Sequence, residues 1–135
     1  MTTVDDRVQL RRWLEPYKDR FVFYHCTSAY PCPFENLHLL EIKKMKDEGW
    51  GRIGFSNHGA GIASDIAAMA LGATYFERHF IDDRTFNHTD SAASLEPGGL
   101  SKLARDLKHV YAAMTYKPDK LWEEEKKQKD KLRPS

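Results

Sequence analysis

Strand-like and helix-like segments alternate along this chain, and the alternation constrains its fold more than any other feature. Three runs are rich in aromatic and β-branched residues, as buried strands are: RFVFYHC at 20–26, WGRIGFS at 50–56 and TYFERHFI at 74–81. Apolar residues at helical spacing precede, separate and follow these runs. Strands that alternate with helices pair in parallel through right-handed crossovers, so the pattern predicts an α/β architecture.

The helix-like segments have boundaries that can be read from single residues. Pro16 closes the first segment, because the residue before a proline is disfavoured in a helix. Gly72 follows the third segment and suits a left-handed helix end, and Ser94 is a candidate N-cap for the fourth. The predicted helical segments are 4–15, 34–49, 62–71 and 100–114.

The length of 135 residues and a hydrophobic content of 41% are typical of one folded domain. We expect this domain to occupy residues 1–116. Residues 117–135 change composition abruptly and carry seven basic and five acidic side chains. This segment is predicted to be a charged tail, either a solvated helix or a frayed linker.

The charge balance and the apolar content exclude several classes of partner. Lys and Arg number 21 against 20 Asp and Glu, so the net charge of +1 predicts no nucleic-acid and no membrane-surface binding. No window reaches the roughly 18 apolar residues of a membrane span, and the first residues do not resemble a signal peptide. Cys26 and Cys32 are too few for a disulfide framework. We therefore expect a cytoplasmic protein.

Polar side chains stand at the end of each predicted strand, where a buried parallel strand should be apolar. Residues two apart share a face of a strand, so the polar groups within each run point the same way. In α/β folds, ligands bind at the carboxyl ends of the strands. The candidate ligand-binding residues are Ser28 and Tyr30 after the first run, Ser56 and His58 at the second, and Glu77 and His79 in the third.

These residues allow two interpretations. His58 and His79, at the ends of adjacent strands, have the donor chemistry of a manganese, iron or zinc site, or they are hydrogen-bonded histidines of the fold. Glu77 is either part of the chemistry or a buried carboxylate paired with Arg78 or Arg84. Spacing alone does not decide between these alternatives.

Three blocks of this sequence resemble the N-acetylneuraminate (sialic acid) synthase family, in the same order and at similar spacing. They are HCTSAYPCPFENLHLLEI from His25, GFSNHGAGIASDIAAMALGATYFERHF from Gly54 and DRTFNHTDSAASLEP from Asp83. The resemblance implies the last three βα units of a (β/α)8 TIM barrel. It also implies the condensation of phosphoenolpyruvate with an N-acetylhexosamine, which releases phosphate and forms a nine-carbon keto acid.

The family uses a divalent metal, and the resemblance implies where it binds. His58 of FSNH and His79 of ERHF match the two metal-binding histidines of the family, and Glu77 matches an acidic residue beside the metal. We expect manganese, with magnesium or cobalt as alternatives, and a catalytic role for Glu77, since a nearby carboxylate can orient or deprotonate the attacking water.

The substrate contacts are implied in the same way. Ser56 matches a contact to the phosphate of phosphoenolpyruvate, and Ser28 and Tyr30 fall where the family contacts phosphoenolpyruvate and the amino sugar. Asp90 falls where a family loop offers a carboxylate to sugar hydroxyls. The amino sugar is N-acetylmannosamine or a related precursor of legionaminic or pseudaminic acid.

The chain departs from the family pattern in two blocks. Asn57 stands where the usual block has a carboxylate next to the metal histidine, and an amide lacks the negative charge that supports a metal-bound imidazole. The family's GPDH loop has become HTDS, which adds His88. Both changes bear on the affinity for the metal and on which amino sugar is bound.

A closed barrel takes about 250 residues and eight strands, whereas three strands are predicted here. The family's phosphoenolpyruvate-binding lysines lie on earlier strands, and its antifreeze-like domain would follow the charged tail. We therefore expect a homo-oligomer or a companion chain that supplies the rest of the barrel, with a truncated gene product as a third possibility.

Two classes of function remain open on this basis. The chain is part of a condensing enzyme, or it is a non-catalytic half-barrel that serves only binding or assembly. An aldolase-like or phosphate-binding barrel of another family is a more distant third class.

Overall fold

A computed structural model describes residues 1–86 and 88–133, so Asn87 of the third block and Pro134 and Ser135 of the predicted tail lie outside the described residues. Short 3-10 helices at Glu15–Arg20 and Phe34–Asn36 supplement the main elements. The main elements are α1 (Val4–Leu14), β1 (Val22–Cys26), α2 (Leu40–Asp47), β2 (Arg52–Asn57), α3 (Ala63–Leu71), β3 (Tyr75–Arg78), α4 (Pro97–Ala113) and α5 (Glu123–Leu132).

The three strands form one parallel sheet in the order β1-β2-β3. In the register of this sheet, Cys26 lies opposite Ser56, and Ser56 lies opposite Glu77. Parallel strands joined through helices confirm the predicted α/β architecture. The sheet is open at both edges in the part of the chain that the structure describes.

The hydrophobic core lies on one face of the sheet, under α2 and α3. Phe55 of β2 and Ile42 of α2 are its largest fully buried apolar side chains. The opposite face is open: Tyr24 and Tyr75, on either side of Gly54 in the register, are 41% and 37% exposed. A barrel interior has this position in the TIM fold, so the open face is the one that a complete barrel would enclose.

Two of the predicted helix boundaries are confirmed and one is wrong. Gly72 ends α3 with a φ of 118°, a left-handed conformation that glycine adopts without steric cost. Ser94 is not the N-cap of α4, since its hydroxyl donates to the Asp90 carbonyl at 2.8 Å. The helix begins instead at Pro97, whose preset φ and missing N–H suit the first helical position. The first helix ends at Leu14, before Pro16, as predicted.

A buried polar network joins β2, β3 and α3. Asn57 and Asp65 are fully buried, and the Asn57 amide donates to the Asp65 carboxylate at 2.8 Å. Arg78 Nη1 lies 3.5 Å from the same carboxylate. Burial raises the pKa of the Asp65 carboxyl, while Arg78 and Asn57 act in the opposite direction. The interpretation of Glu77 as a buried partner of Arg78 is therefore wrong: the partner of Arg78 is Asp65, and Glu77 is exposed.

The charged tail contains α5, of which every described residue is at least partly exposed. Lys117 and Glu125 form an ion pair at 2.7 Å across the start of this helix. The tail is thus a solvated helix over Glu123–Leu132. Over the described ranges, every helix is too short or too polar to cross a bilayer.

Candidate functional site

The carboxyl ends of β2 and β3 bring His58 and His79 together. Each histidine directly follows the last residue of its strand, and adjacent parallel strands end at the same edge of the sheet. The two imidazole rings meet edge to face, with centroids 5.1 Å apart and planes at 89°. The predicted juxtaposition of the two rings is present in the structure.

One nitrogen of the His58 ring is committed to the backbone. Nδ1 lies 2.8 Å from the Thr27 carbonyl oxygen, and the Cys26 sulfur is 3.9 Å from the same nitrogen. A carbonyl oxygen only accepts hydrogen bonds, so Nδ1 carries the proton and the lone pair of the ring is on Nε2. Only 3% of His58 is exposed, which holds the ring in this orientation.

A carboxylate side chain lies beside the ring of His79. Its Nδ1 lies 3.4 Å from Asp90 Oδ2, and the two side chains are 31% and 42% exposed. Asp90 belongs to the loop before α4. The last part of this loop is bound to the residue that follows β3, since Leu95 N donates to His79 O at 2.8 Å. The sequence had predicted Asp90 as a sugar contact, and the structure places it beside the second histidine.

Tyr30 covers the histidine pair from the loop after β1. Its ring centroid is 4.2 Å from that of His58 and 5.5 Å from that of His79. Tyr30 is 46% exposed, so part of this residue is accessible to a ligand. Ser28, two residues earlier, is exposed and lines a different cleft of about 680 Å³ between α1 and β1.

Ser56 and Glu77 form a hydrogen-bonded pair on the open face of the sheet. The Ser56 hydroxyl donates to Glu77 Oε1 at 2.7 Å, across directly paired residues of β2 and β3. The single hydroxyl proton of Ser56 is therefore used, and a phosphate contact would need the hydroxyl to turn away from Glu77.

Asn57 takes no part in the histidine pair, because it lies on the face of β2 opposite Ser56, as the alternation of side chains along a strand predicts. Its side chain points to α3, where Nδ2 donates to Ser64 Oγ and to the Asp65 carboxylate, both at 2.8 Å. Its Oδ1 accepts from the Gly59 N–H at 2.8 Å. Asn57 thus holds the turn after His58, while the partner of the His58 ring is the Thr27 carbonyl.

Three residues that shape the site were missed by the sequence analysis: Thr27, Asp65 and Arg78. A carbonyl such as that of Thr27 leaves no trace in a sequence. Asp65 did leave a signal, because it is an acidic residue in an otherwise apolar helix, IASDIAAMAL, and a buried carboxylate needs a partner.

The donor set at this edge fits a divalent metal that is partly held by other ligands. His58 and His79 each have one ring nitrogen tied to an oxygen acceptor, which is the arrangement of metal-binding histidines. With metal–nitrogen bonds of about 2.1 Å, rings at this separation can meet one ion. Among residues 1–86 and 88–133, no group of three or more His, Cys, Asp or Glu side chains is placed to hold an ion. Two imidazoles are what the described residues offer.

Solved structures share this fold. An N-acetylneuraminic acid (sialic acid) synthetase from Leptospira borgpetersenii serovar Hardjo-bovis superposes with a TM-score of 0.81 at 26% identity, over 100% of this chain and 48% of that one. A putative spore coat polysaccharide biosynthesis protein E from Chromobacterium violaceum superposes with a TM-score of 0.77 at 24% identity. The three βα units are therefore of the TIM-barrel type, as predicted.

Sequence relatives point the same way. The human N-acetylneuraminate-9-phosphate synthase is 39% identical over 117 residues, which are 84% of this chain and 32% of that protein. An N,N'-diacetyllegionaminic acid synthase from Campylobacter jejuni is 36% identical over 97 residues, or 72% of this chain and 29% of that protein. The chain spans about a third of the length of these curated relatives.

The sequence profile of the NeuB family matches residues 1–119, which include all three strands and both histidines. This range contains the whole predicted domain of residues 1–116 and stops just inside the charged tail. The chain therefore belongs to the NeuB family.

Proposed function

We propose that this chain supplies the histidine-bearing part of an active site that condenses phosphoenolpyruvate with N-acetylmannosamine or a related amino sugar. The product would be a nine-carbon keto acid, and phosphate would leave. One observation carries the proposal: in a chain of the NeuB family, His58 and His79 meet at the carboxyl edge of a parallel sheet, each with its second ring nitrogen anchored.

In the proposed site, His58 and His79 hold a divalent ion, with manganese preferred and magnesium or cobalt as alternatives. When bound, such an ion supplies Lewis acidity toward a carbonyl oxygen. The Thr27 carbonyl keeps His58 in the tautomer that leaves Nε2 free, and the Asp90 carboxylate lies 3.4 Å from Nδ1 of His79, where it can support that ring. The chain's own contribution to metal binding is thus the preset orientation of two neutral imidazoles.

Glu77 is the candidate proton acceptor. It is exposed on the open face, two residues before His79 in the chain. Its Oε1 already accepts one hydrogen bond from Ser56. A carboxylate in this position can orient a water or take its proton during addition to phosphoenolpyruvate. Ser56 is then both the partner of Glu77 and the proposed contact to phosphate.

Tyr30, Ser28 and Asp90 complete the proposed substrate contacts. The exposed Tyr30 hydroxyl and the Asp90 carboxylate both lie beside the histidine pair, where the hydroxyls of an amino sugar would find a donor and an acceptor. Ser28 lines the neighbouring cleft and would meet the substrate from that side.

The three described strands are only part of a closed barrel, so the proposed site needs further strands to be complete. The sheet has open edges at β1 and β3, and tyrosines stand exposed on its inner face. A row of unpaired strand hydrogen-bonding groups favours association with further strands. We propose a companion chain or a homo-oligomer as the source, acting in the cytoplasm, where the free Cys26 and Cys32 stay reduced.

The alternative candidate is a non-catalytic module that binds or assembles without turnover. The observation in its favour is that, among residues 1–86 and 88–133, no group of three or more His, Cys, Asp or Glu side chains is placed to hold an ion. Such a module would keep the fold and the histidine pair and lack the cationic groups that bind phosphate.

Phosphate release from phosphoenolpyruvate and N-acetylmannosamine, with manganese present, tests the proposal. The assay uses this chain alone and this chain mixed with a fragment of the human relative that contains the part unmatched here. We expect little turnover alone and turnover in the mixture that disappears with His58→Ala. His109→Ala, on the exposed surface of α4, is the matched control and should leave the rate unchanged. Turnover that survives His58→Ala would contradict the proposal, and its absence from every mixture would favour the module.

A further inference from the structure

We infer that Arg78 is a positioning residue that ties together the two loops on which the candidate site is built. Its guanidinium joins the turn after His58 to the loop that carries Asp90. The consequence for metal binding rests on the proposed function, whereas the consequence for the geometry of the two rings does not.

A single nitrogen of Arg78 contacts both loops. Nη2 donates to the Gly59 carbonyl at 3.0 Å and to the Ala93 carbonyl at 3.2 Å. Gly59 directly follows His58, and the Ala93 N–H donates to the Asp90 carbonyl at 3.0 Å. Through these bonds, Arg78 sets how far the backbone of one loop lies from the backbone of the other.

The other half of the guanidinium is held from α3. Arg78 Nη1 lies 3.5 Å from Asp65 Oδ2, and the two side chains are 3% and 0% exposed. The same Asp65 oxygen accepts from Asn57 Nδ2, and Asn57 Oδ1 accepts from the Gly59 N–H. The Gly59 turn is therefore fixed on its carbonyl side by Arg78 and on its N–H side by Asn57.

Stability alone does not account for this arrangement. Asp65 Oδ1, Arg78 Nε and Arg78 Nη1 are buried without a hydrogen-bond partner among the described residues. Burial also lowers the pKa of the Arg78 guanidinium, against the effect of Asp65. A buried ion pair with incomplete hydrogen bonding commonly contributes less to folding than apolar residues of the same volume would. The two hydrogen bonds from Arg78 to loop carbonyls at the site indicate that the ion pair serves to position these loops.

Arg84 provides a contrast within the same loop. Its Nη2 donates to the Ser94 carbonyl at 2.6 Å, next to the Ala93 carbonyl that Arg78 binds. Among the described contacts, the Arg84 side chain binds only the loop that carries Asp90, whereas the Arg78 side chain binds both loops. A substitution at Arg84 loosens one loop and leaves the bridge intact, so it serves as a matched control.

The test compares Arg78→Lys, which keeps the charge and loses the planar fork, with Arg84→Lys in the 135-residue chain. The first readout is the nuclear Overhauser effect between the His58 and His79 ring protons in the metal-free protein. The second is the affinity for Mn²⁺ by calorimetric titration. We expect Arg78→Lys to weaken the ring-to-ring effect and to lower Mn²⁺ affinity about 10- to 100-fold, as changes behind a metal ligand do. Arg84→Lys should keep both.

Two further variants separate positioning from folding. Arg78→Gln with Asp65→Asn removes both charges together, so no charge stays buried alone, and it should still lose the ring contact. Met45→Ala opens a cavity in the core beside α1 and lowers stability away from Arg78, so it should keep the ring contact.

The inference is overturned if the Arg78 variants keep the ring contact and lose only stability, if Met45→Ala disturbs the rings equally, or if neither Arg78 variant folds. A wild-type chain that shows the ring contact and binds no Mn²⁺ would contradict the metal-binding part of the proposed function. The ring contact in the variants would still decide the role of Arg78.

Discussion

Asn57 donates to the Asp65 carboxylate at 2.8 Å, and neither side chain is exposed to solvent. An amide beside a buried carboxylate completes a hydrogen bond, whereas a second carboxylate in its place would be an acceptor facing an acceptor. The asparagine that departs from the family pattern is thus matched to this aspartate within the chain.

This relationship predicts the effect of restoring the family carboxylate. Asn57→Asp should lower the free energy of unfolding by about 1 to 3 kcal/mol at pH 7, because a buried acceptor loses its donor. Two adjacent carboxylates raise the pKa of one of them in the folded state, so stability is lost as the pH rises and recovers toward pH 4. Urea unfolding at both pH values measures the difference.

The swapped variant is the control for that prediction. Asn57→Asp combined with Asp65→Asn restores one amide and one carboxylate, and it should recover a substantial part of the lost stability. Equal losses in the single and the double variant would show that the Asn57–Asp65 contact is not what the substitution disturbs.

A second pH effect is expected at the other end of the domain, where Arg7 of α1 pairs with Glu41 of α2 at 2.7 Å. The hydrogen bond from Arg7 lowers the pKa of the Glu41 carboxyl below its ordinary value. Its contribution to stability is therefore present above the ordinary glutamate pKa and is lost as the pH falls through the lowered one.

Because the pair is partly exposed, the contribution is about 0.5 to 1 kcal/mol. Arg7→Gln should remove this amount at pH 7, and its effect should shrink as the pH falls through the lowered pKa of Glu41. Chemical denaturation at pH 7 and below that lowered pKa checks this. An equal effect of Arg7→Gln at both would assign it to packing of the side chain instead of charge.

The sequence was sufficient for those features that depend on periodicity. The helix α3 was predicted to within one residue, because its apolar residues recur at helical spacing and Gly72 ends it. The meeting of His58 and His79 was predicted because parallel strands end at one edge of the sheet.

The choice of side-chain partners was beyond this kind of reasoning. Period-two alternation placed Asn57 and Arg78 on the face opposite Ser56 and Glu77, and it gave no information on which residue of α3 would face them. That depends on the rotation of the helix about its axis, which buries Asp65 against the sheet. The alternative that paired Glu77 with Arg78 or Arg84 fails because Glu77 accepts from Ser56 on the opposite face of the sheet.

Packing on the open face predicts opposite outcomes for two glycines. A Cβ at Gly54 would lie 2.5 Å from the Tyr24 ring, whereas a Cβ at Gly98, in the first turn of α4, would meet nothing within 4 Å. Gly54→Ala should therefore cost about 1 kcal/mol or more, because the ring must move away. Gly98→Ala should leave stability unchanged or raise it, since alanine favours a helix.

Thermal unfolding of both variants measures these effects, and Tyr24→Ala in the Gly54→Ala background provides the check. Removal of the ring should relieve the clash, so alanine at position 54 should cost less in that background. The same cost with and without the ring would mean that the backbone, not Tyr24, requires glycine there.

The histidine pair makes the most direct prediction, which concerns metal binding by the isolated chain. Isothermal titration with Mn²⁺ should give weak binding to the wild type, since two imidazoles leave most of the coordination sphere to water. His58→Ala with His79→Ala should abolish the binding heat. His88→Ala removes an exposed imidazole from the loop that carries Asp90 and should leave the heat unchanged, because the described site uses only two histidines. If the double variant and the wild type gave equal heats, the ion would bind elsewhere, and the anchored orientation of the two rings would belong to the fold alone.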